Sequence, residues 1–276
     1  MDILRFGTAG IPTCTKGDTL QGIQDVRKLG LDSFELEFVH SINISKEKAP
    51  DVKKTAQAND VVITCHAPYF INLNTDDKKK YHASVGRIVN SARIASLCGG
   101  WSVCFHAGYY MKDDKKKVYD KIEAALKEIS KTLKDEGNKI WIRPEISGKQ
   151  SQFGDLDELI QLSKNVEQVF PCVDFSHLFA RSIGKNNTYN EFKEILTKME
   201  KELGKKALDE MHIHAAGIAF GDKGEKNHLL LKDSKFNYTD LLKVLKEFNV
   251  KGVVTCESPN IEEDALLMKK YYYSVR

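Results

Sequence analysis

Short apolar runs alternate along the chain with longer stretches in which apolar residues recur at helical spacing. The short runs predict strands, and the longer stretches predict amphipathic helices. The predicted strands are residues 3–9, 33–39, 61–67, 101–107, 139–145, 168–175, 209–216 and 251–258. The predicted helices are residues 18–29, 46–58, 77–97, 113–136, 155–164, 189–203, 238–248 and 261–272. The pattern therefore consists of eight successive strand–helix units.

This alternation predicts a parallel sheet with right-handed crossovers. Eight units in roughly 250 residues is the size of a closed barrel, so we predict an α/β fold, a single (β/α)8 TIM barrel. An open, doubly wound sheet is the alternative, but the segment FGTAGIP (6–12) lacks the glycine spacing of a phosphate-binding loop. No linker rich in Gly, Ser or Pro divides the chain, and we expect one domain over residues 1–276.

Composition and charge narrow the class of protein but do not identify its activity. The chain is 41% hydrophobic and 29% charged, which argues against disorder, and its net charge of +3 does not by itself indicate a nucleic-acid partner. None of the cysteines forms a C-x-x-C pair, and several lie within apolar strands, so we expect reduced thiols in a reducing compartment. No signal peptide or membrane-spanning stretch is visible. We therefore expect a cytoplasmic protein without a membrane partner.

Side chains that bind metals stand at the ends of six consecutive predicted strands. They are His66, His106, Glu145, Asp174 with the adjacent His177, His212 with His214, and Glu257. The carboxyl ends of barrel strands share one face, so these groups are expected to meet there. Their burial is costly without a partner, and Arg143 is the main basic candidate at the strand ends. Converging imidazoles and carboxylates instead indicate a site for divalent metal ions.

The number of candidate ligands indicates more than one ion. Zinc takes about four to five ligands including water, and His228 in the loop after the seventh strand adds a further candidate. We predict two or three ions bridged by a carboxylate such as Glu145 or Glu257. The mixed donor set suits Zn²⁺ first, with Mn²⁺ possible. His212 and His214 lie on one face of their strand, and we favour His214 because it is nearer the strand end.

The chain resembles the endonuclease IV family of apurinic/apyrimidinic endonucleases, within the xylose-isomerase-like barrels. The segments that resemble motifs of this family are, in order, HAPYFINL (66–73), FHAG (105–108), PEISGKQSQFGDLDEL (144–159), VDFSHLFARSIG (173–184) and CESP (256–259). The resemblance runs from the third to the eighth strand. It implies a trinuclear zinc cluster that activates water and cleaves the phosphodiester 5′ to abasic sites in double-stranded DNA, as part of DNA base-excision repair.

The resemblance also implies roles for individual residues. The implied metal ligands are His66, His106, Glu145, Asp174, His177, His214, His228 and Glu257. Tyr69 matches the tyrosine that the family inserts into DNA. In phosphodiester hydrolysis Glu145 would be catalytic, because it would orient or deprotonate the attacking water. We expect phosphate contacts from Arg181, Lys185 and Lys226, and we expect a monomer.

Two positions depart from the family pattern. The family's loop after the seventh strand carries D-x-H, whereas this chain reads GEKNHLLL (224–231), with Lys226 in place of the aspartate. Glu225 is the acidic residue that could replace it. The family also inserts an arginine from the loop after the second strand into DNA, and residues 37–45 contain no arginine.

A sugar isomerase or epimerase is the alternative function. Related barrels hold one Mn²⁺ or Co²⁺ with Glu, Asp, His and Glu from strands five to eight, and this chain supplies Glu145, Asp174, His214 and Glu257. The two glutamates would then exchange a proton with a carbon next to a carbonyl. A one-metal isomerase would not need the remaining histidines as ligands, so we favour the nuclease. Another metallohydrolase or a non-catalytic binding protein is a third possibility.

Overall fold

The computed structural model describes residues 1–275. Within this range the strands are β1 (Leu4–Ala9), β2 (Ser33–Glu37), β3 (Val62–His66), β4 (Ser102–Phe105), β5 (Trp141–Pro144), β6 (Cys172–Asp174), β7 (Met211–Ala215), β8 (Gly217–Gly221), β9 (Gly224–Leu229) and β10 (Gly252–Cys256). The helices are α1 (Thr19–Lys28), α2 (Ala49–Ala58), α3 (Lys78–Leu97), α4 (Lys115–Asp135), α5 (Leu156–Asn165), α6 (Phe175–Arg181), α7 (Tyr189–Leu203), α8 (Lys205–Asp209), α9 (Tyr238–Glu247) and α10 (Glu262–Ser274), with a 3₁₀ turn at Leu231–Asp233.

Eight of the strands form one parallel sheet that closes on itself. Their order is β5-β4-β3-β2-β1-β10-β7-β6. The two outermost strands meet, because the N–H of Ile142 donates to the carbonyl of Gln168 at 3.0 Å and the N–H of Ile146 donates to that of Cys172 at 3.1 Å. Helices pack against the outside of this barrel. The predicted (β/α)8 barrel is thus confirmed.

Capping residues set the start of most of the outer helices. The side chains that accept hydrogen bonds from the first turns of α1, α3, α4, α5 and α7 are those of Asp18, Asp77, Asp114, Asp155 and Thr188. In the two lysine runs, DDKKK, the second aspartate is the cap and the lysines form the exposed first turn. These runs are thus ordinary helix starts. No helix among residues 1–275 combines the length and apolarity needed to cross a membrane.

The segment after β7 differs from the predicted long loop. It folds into an antiparallel hairpin of β8 and β9, joined by a tight turn that ends at Gly224 with a positive φ of 95°. The glycines and charged residues of this turn obscured the strand pattern in the sequence. Two short helices, α6 and α8, were also not predicted. The hairpin and α6 both stand on the face of the barrel where the strands end.

Arg143 lies inside the barrel, at the end opposite to the predicted site, and not at a strand end beside the carboxylates. Its guanidinium donates to the carbonyl of Pro171 at 2.9 Å and to that of Glu210 at 2.5 Å. It also stacks on Trp101, 4.7 Å from the ring centre. Burial lowers its pKa to about 10, so it stays charged at neutral pH. Pro171 and Glu210 directly precede β6 and β7, and Arg143 therefore fixes the starts of both strands to β5.

Replacing Arg143 with lysine should destabilise the fold. An ammonium group lacks the planar fork that reaches both carbonyls and stacks on Trp101, so we expect a loss of about 2–4 kcal/mol in the free energy of unfolding. Urea unfolding followed by circular dichroism measures this. The control is Arg93→Lys, at a half-exposed ion pair with Glu136, which should change stability by about 0.5 kcal/mol or less. Equal midpoints for the two variants would contradict this role of Arg143.

Candidate metal centre

The carboxylate of Glu145 lies at the centre of the barrel mouth, the end of the barrel where the parallel strands finish. Its Oε2 is 3.1 Å from Nε2 of His66 and 3.5 Å from Nε2 of His106. Its Oε1 is 3.1 Å from Nδ1 of His214 and 3.4 Å from Nδ1 of His177. Four imidazoles from different elements thus surround one buried carboxylate. Donor atoms around a tetrahedral zinc ion are about 3.3 Å apart, so this spacing suits a shared coordination sphere.

Asp174 and Glu257 complete this arrangement with oxygens that lack partners. One oxygen of Asp174 caps α6 by accepting the N–H of His177 at 2.7 Å, and its Oδ2 lies 3.1 Å from Nδ1 of the same histidine. Glu257 Oε1 lies 3.3 Å from Nδ1 of His214. Within residues 1–275, Asp174 Oδ2, Glu257 Oε2 and His228 Nε2 are buried and make no hydrogen bond. A buried oxygen or nitrogen atom without a hydrogen-bond partner lowers the stability of the fold unless a cation binds it. These three atoms therefore fit a metal site.

The donor atoms form three overlapping groups, each compact enough for one ion. The groups, in which all donor atoms lie within 4.8 Å of one another, are His106 with Glu145 and His177; Glu145 with Asp174, His214 and Glu257; and His177 with Glu225 and His228. His66 joins Glu145 in a fourth such set that includes Cys104. Glu145 and His177 each belong to more than one group. The structure therefore brings together every predicted ligand except His212, and it also brings in Glu225, the acidic residue that the sequence offers in place of the motif's aspartate.

We call these nine residues the mouth cluster. Its members are His66, His106, Glu145, Asp174, His177, His214, Glu225, His228 and Glu257.

A bulge in the hairpin brings Glu225 into the mouth cluster. Ala219 pairs with Asn227 and the next residue, Phe220, pairs with Glu225, so Lys226 is an extra residue in β9. In a regular strand Glu225 and His228, three positions apart, would point to opposite faces. The bulge reverses this, and Glu225 Oε2 lies 3.6 Å from Nε2 of His177. Lys226 is exposed. Glu225, and not Lys226, thus lies beside His177 and His228.

Gly148, in the loop after β5, leaves room for this contact. A Cβ atom at residue 148 would lie 2.6 Å from Oε2 of Glu225 and 2.8 Å from Cδ2 of His177. The carbonyl of Gly148 also accepts the N–H of Glu225 at 3.0 Å. The loop can therefore hold the hairpin against the mouth only because this residue has no side chain.

His212 lies one layer below the mouth cluster. Its Nε2 is 2.8 Å from Oε2 of Glu35, and its Nδ1 is 2.9 Å from Oγ of Ser102. His214, two residues later, reaches both Glu35 below and Glu145 above. This placement agrees with the preference for His214. His212 does have the thiols of Cys104 and Cys172 nearby, with donor atoms within 4.8 Å.

Two acids on β2 were missed in the sequence. Glu35 is fully buried and contacts His212 and His214, while Glu37 is half-buried and lies at the mouth near His66. Burial, together with the charge of Glu35, raises the pKa of Glu37 to about 8. The signal was present, because the run SFELE places two acids on the same face of a strand that is otherwise apolar.

The charges of the mouth cluster are strongly coupled. Burial opposes ionisation of Glu145, but the imidazoles of His106 and His214 hold its pKa well below its usual range. Burial raises the pKa of Glu257 to about 7 and lowers that of His106 to about 4. The cluster thus keeps an ionised carboxylate at its centre. Although burial opposes it, the contact with Glu145 raises the pKa of His66 to about 10, so a cation must displace a proton to bind this imidazole.

The mouth opens into a cavity of about 220 Å³ that the mouth cluster partly lines. On its rim Tyr69 is 54% exposed, and Phe70 beside it is 62% exposed. The ring of Tyr69 lies 5.6 Å from that of His66. Lys149 also lines the cavity and was not predicted. The cavity is therefore polar inside and aromatic at one edge.

Arg181 supports the loop after β5. Its Nη1 donates to the carbonyls of Ser147, Lys149 and Gln152 at 3.2, 2.6 and 2.9 Å. This amino group is therefore occupied by the protein itself. A DNA contact by Arg181, like those of Lys226 and Lys185, stays a prediction. Both lysines are exposed.

Two curated relatives are similar to most of the chain. An uncharacterized protein of Methanocaldococcus jannaschii is 42% identical over 270 residues, which cover 98% of this chain and 97% of that protein. A probable endonuclease 4 of Mycoplasma genitalium is 21% identical over 215 residues, which cover 76% of this chain and 71% of that protein.

Solved structures of two kinds share the fold. Endonuclease IV from Thermus thermophilus superposes with a TM-score of 0.74 at 16% identity, covering 98% of this chain and 100% of that one. A D-tagatose 3-epimerase-like protein superposes with a TM-score of 0.75 at 20% identity, covering 98% and 97%. At these identities the likeness shows the fold and not the activity.

The sequence model of one protein family, described as "xylose isomerase-like TIM barrel", matches residues 23–271. This range contains β2 to β10 and the whole mouth cluster. The match over most of the chain shows that this protein belongs to the xylose isomerase-like TIM barrel family.

Proposed function

We propose that this protein is a metal-dependent hydrolase of the endonuclease IV type, which cleaves the phosphodiester 5′ to abasic sites in double-stranded DNA. The observation that carries the proposal is the set of three overlapping donor groups. Glu145 belongs to two of these groups, and His177 also belongs to two. One ion does not use nine protein ligands, whereas two or three ions do. The similarity to a probable endonuclease 4 supports the same activity.

The donor set fits Zn²⁺ best, with Mn²⁺ as the second choice. One ion would be held by His66, His106 and Glu145, a second by Glu145, Asp174, His214 and Glu257, and a third by His177, Glu225 and His228. Bound divalent ions supply Lewis acidity and make a nucleophilic hydroxide available near neutral pH.

Glu145 is the proposed catalytic residue. Its two carboxylate oxygens face different imidazoles, and it belongs to more than one donor group, so in this proposal it would lie beside the attacking water. There it would orient the attacking water and accept a proton from it. Attack on phosphorus breaks the bond to the 3′ oxygen of the preceding nucleotide, and the abasic deoxyribose keeps its 5′ phosphate.

The rim of the mouth supports a DNA substrate. An abasic sugar must leave the helix to reach a barrel mouth, and exposed aromatic side chains are suited to fill or wedge the base stack. Tyr69 lines the cavity and is exposed, and Phe70, next to it in the chain, is also exposed. Lys149, at the cavity wall, and Lys226, exposed on the hairpin, are the candidates for phosphate contacts.

A sugar isomerase or epimerase is the second candidate. The group formed by Glu145, Asp174, His214 and Glu257 is by itself a complete site for one ion, and the cavity is small enough for a monosaccharide. The fold of a D-tagatose 3-epimerase-like protein is equally similar. This function, however, leaves five members of the mouth cluster without a role, namely His66, His106, His177, Glu225 and His228.

A duplex carrying one abasic analogue separates the two functions. With Zn²⁺ or Mn²⁺ bound, we expect incision directly 5′ to the analogue, no cutting of the matched intact duplex, and two or more ions per chain by elemental analysis. The same preparation should not interconvert ketoses. A single bound ion together with ketose epimerisation and no incision would instead establish the second candidate.

Glu145→Gln should abolish incision while the fold is retained. The amide keeps the size of the side chain but cannot accept a proton or bridge ions, so we expect a fall in rate of about a hundredfold or more. Gel assays of incision measure the rate, and circular dichroism monitors the fold. The control is Gln152→Glu at the cavity wall, which adds a carboxylate near the mouth without changing the mouth cluster. Near-normal incision by Glu145→Gln would exclude Glu145 as the catalytic residue.

Glu225→Gln should weaken the binding of one ion only. Glu225 belongs to a single donor group, so removing its charge affects that group, and His228→Ala should affect the same ion. Elemental analysis after dialysis against a weak chelator measures the ions retained per chain. The neighbouring Lys226→Gln is the matched control and should retain the full number. Full retention by Glu225→Gln would show that the bulge does not create a ligand.

A further inference from the structure

The carboxylate of Glu35 lies fully buried directly beneath the mouth cluster. The hydroxyl of Thr64 donates to its Oε2 at 2.7 Å. Nε2 of His212 lies 2.8 Å from Oε2, and Nε2 of His214 lies 2.9 Å from Oε1. One anion thus faces three groups from β3 and β7, and two of these are imidazoles. Each carboxylate oxygen of Glu35 thus lies against the imidazole nitrogen of a different histidine.

His214 stands between Glu35 and the mouth. Its Nε2 faces Glu35, while its Nδ1 lies 3.1 Å from Glu145 Oε1 and 3.3 Å from Glu257 Oε1. An unprotonated Nε2 at 2.9 Å from a carboxylate oxygen would be repelled by it, so we infer that Nε2 carries the proton, although this contact is not aligned as a hydrogen bond. When a cation occupies the mouth, Nδ1 gives up its own proton and its lone pair points at that cation.

We propose that Glu35 is a positioning residue that fixes the tautomer and orientation of His214, so that Nδ1 is presented to the cation held with Glu145, Asp174 and Glu257. Metal-binding histidines commonly hold their second ring nitrogen against a carboxylate in this way. The inference rests on the proposed metal centre but adds a claim about a residue outside it.

The same contacts give His212 a supporting role. Its Nε2 also faces Glu35, so this nitrogen carries the proton, and its Nδ1 can then accept the hydroxyl of Ser102 at 2.9 Å. Ser102, His212 and Glu35 are thus in buried contact, and His212 packs against the carboxylate below His214. His212 therefore acts on the metal centre through Glu35 and not as a ligand.

The nearby thiols offer a competing arrangement. Cys104 and Cys172 could hold a cation with His212 and His214, whose donor atoms are within 4.8 Å. Nε2 of His214, which lies 3.7 Å from the thiol of Cys104, would have to lose its proton to bind such an ion, whereas this nitrogen faces Glu35. The Cys104 thiol also has a partner, since it donates to the carbonyl of Cys65 at 3.4 Å. We therefore infer that His212 and His214 each carry a proton on Nε2, and that no cation binds between these histidines and the two thiols.

Metal binding by Glu35→Gln tests the inference without reference to activity. Competition with a chromophoric chelator measures the affinity of each Zn²⁺ in the intact protein. We expect one ion to bind about ten- to a hundredfold more weakly, with the others unchanged. Thr64→Val, which removes a donor to Glu35 but keeps its charge and its contacts with the histidines, is the matched control and should bind as the wild type does. If Glu35→Gln does not fold, Glu35→Asp, which withdraws the carboxylate from His214, should show the same loss.

A double-mutant cycle shows whether Glu35 acts through His214. Glu35→Gln should weaken no ion further in a His214→Ala background, but should have its full effect in a His106→Ala background, because His106 does not touch Glu35. Imidazole nitrogen chemical shifts of the Zn²⁺-loaded wild type should show the proton of His214 on Nε2.

The outcomes that would overturn the inference are distinct. Unchanged Zn²⁺ affinity in Glu35→Gln, an equal effect in both backgrounds, or a proton on Nδ1 would overturn the role of Glu35 and leave the metal centre standing. Loss of an ion in Cys172→Ser would also overturn that role, because it would show that a cation binds at the thiols of Cys104 and Cys172. A wild-type protein that binds no divalent ion would overturn the metal centre, and the inference with it.

Discussion

The burial of ionisable groups at the barrel mouth is the constraint on which the rest of the structure depends. Glu145, Asp174 and His214 are almost wholly removed from solvent, and no Arg or Lys side chain forms an ion pair with them among the described residues. Imidazoles are their nearest neighbours. Such an arrangement is stable only if cations or protons balance the carboxylates. The neighbouring features, namely the hairpin, the loop after β5 and the β2 acids, can be understood as parts that hold these donors at coordination distance.

Most of the barrel and much of its mouth could be predicted from the sequence, because both follow from regular periodicity. A run such as VVITCHA identifies a buried strand and the residue at its end. In a closed parallel barrel every strand end lies on one face, so His66, His106 and Glu145, far apart in the chain, had to meet. Their convergence needed no knowledge of any loop.

The features that the sequence left open or did not reveal depend on irregular backbone geometry or on side-chain packing. The position of Glu225 depends on a one-residue bulge, and sequence alone does not reveal whether Lys226 or Glu225 faces inward. Arg143 belongs to a strand, but only the packing of Trp101 and the free carbonyls below it explain where its side chain goes. The acids of β2 alternate with apolar residues in the sequence, but they were not predicted as site residues because Glu35 lies within the strand and not beyond its end.

The hairpin of β8 and β9 stands apart from the barrel sheet and is held to it through the backbone of Gly148. It alone contributes Glu225 and His228, whereas Glu145, Asp174, His214 and Glu257 belong to the strand ends themselves. Without this hairpin the mouth would keep the four donors Glu145, Asp174, His214 and Glu257, which form one compact group by themselves. The number of cations that this barrel mouth can hold therefore depends on a segment outside the barrel sheet.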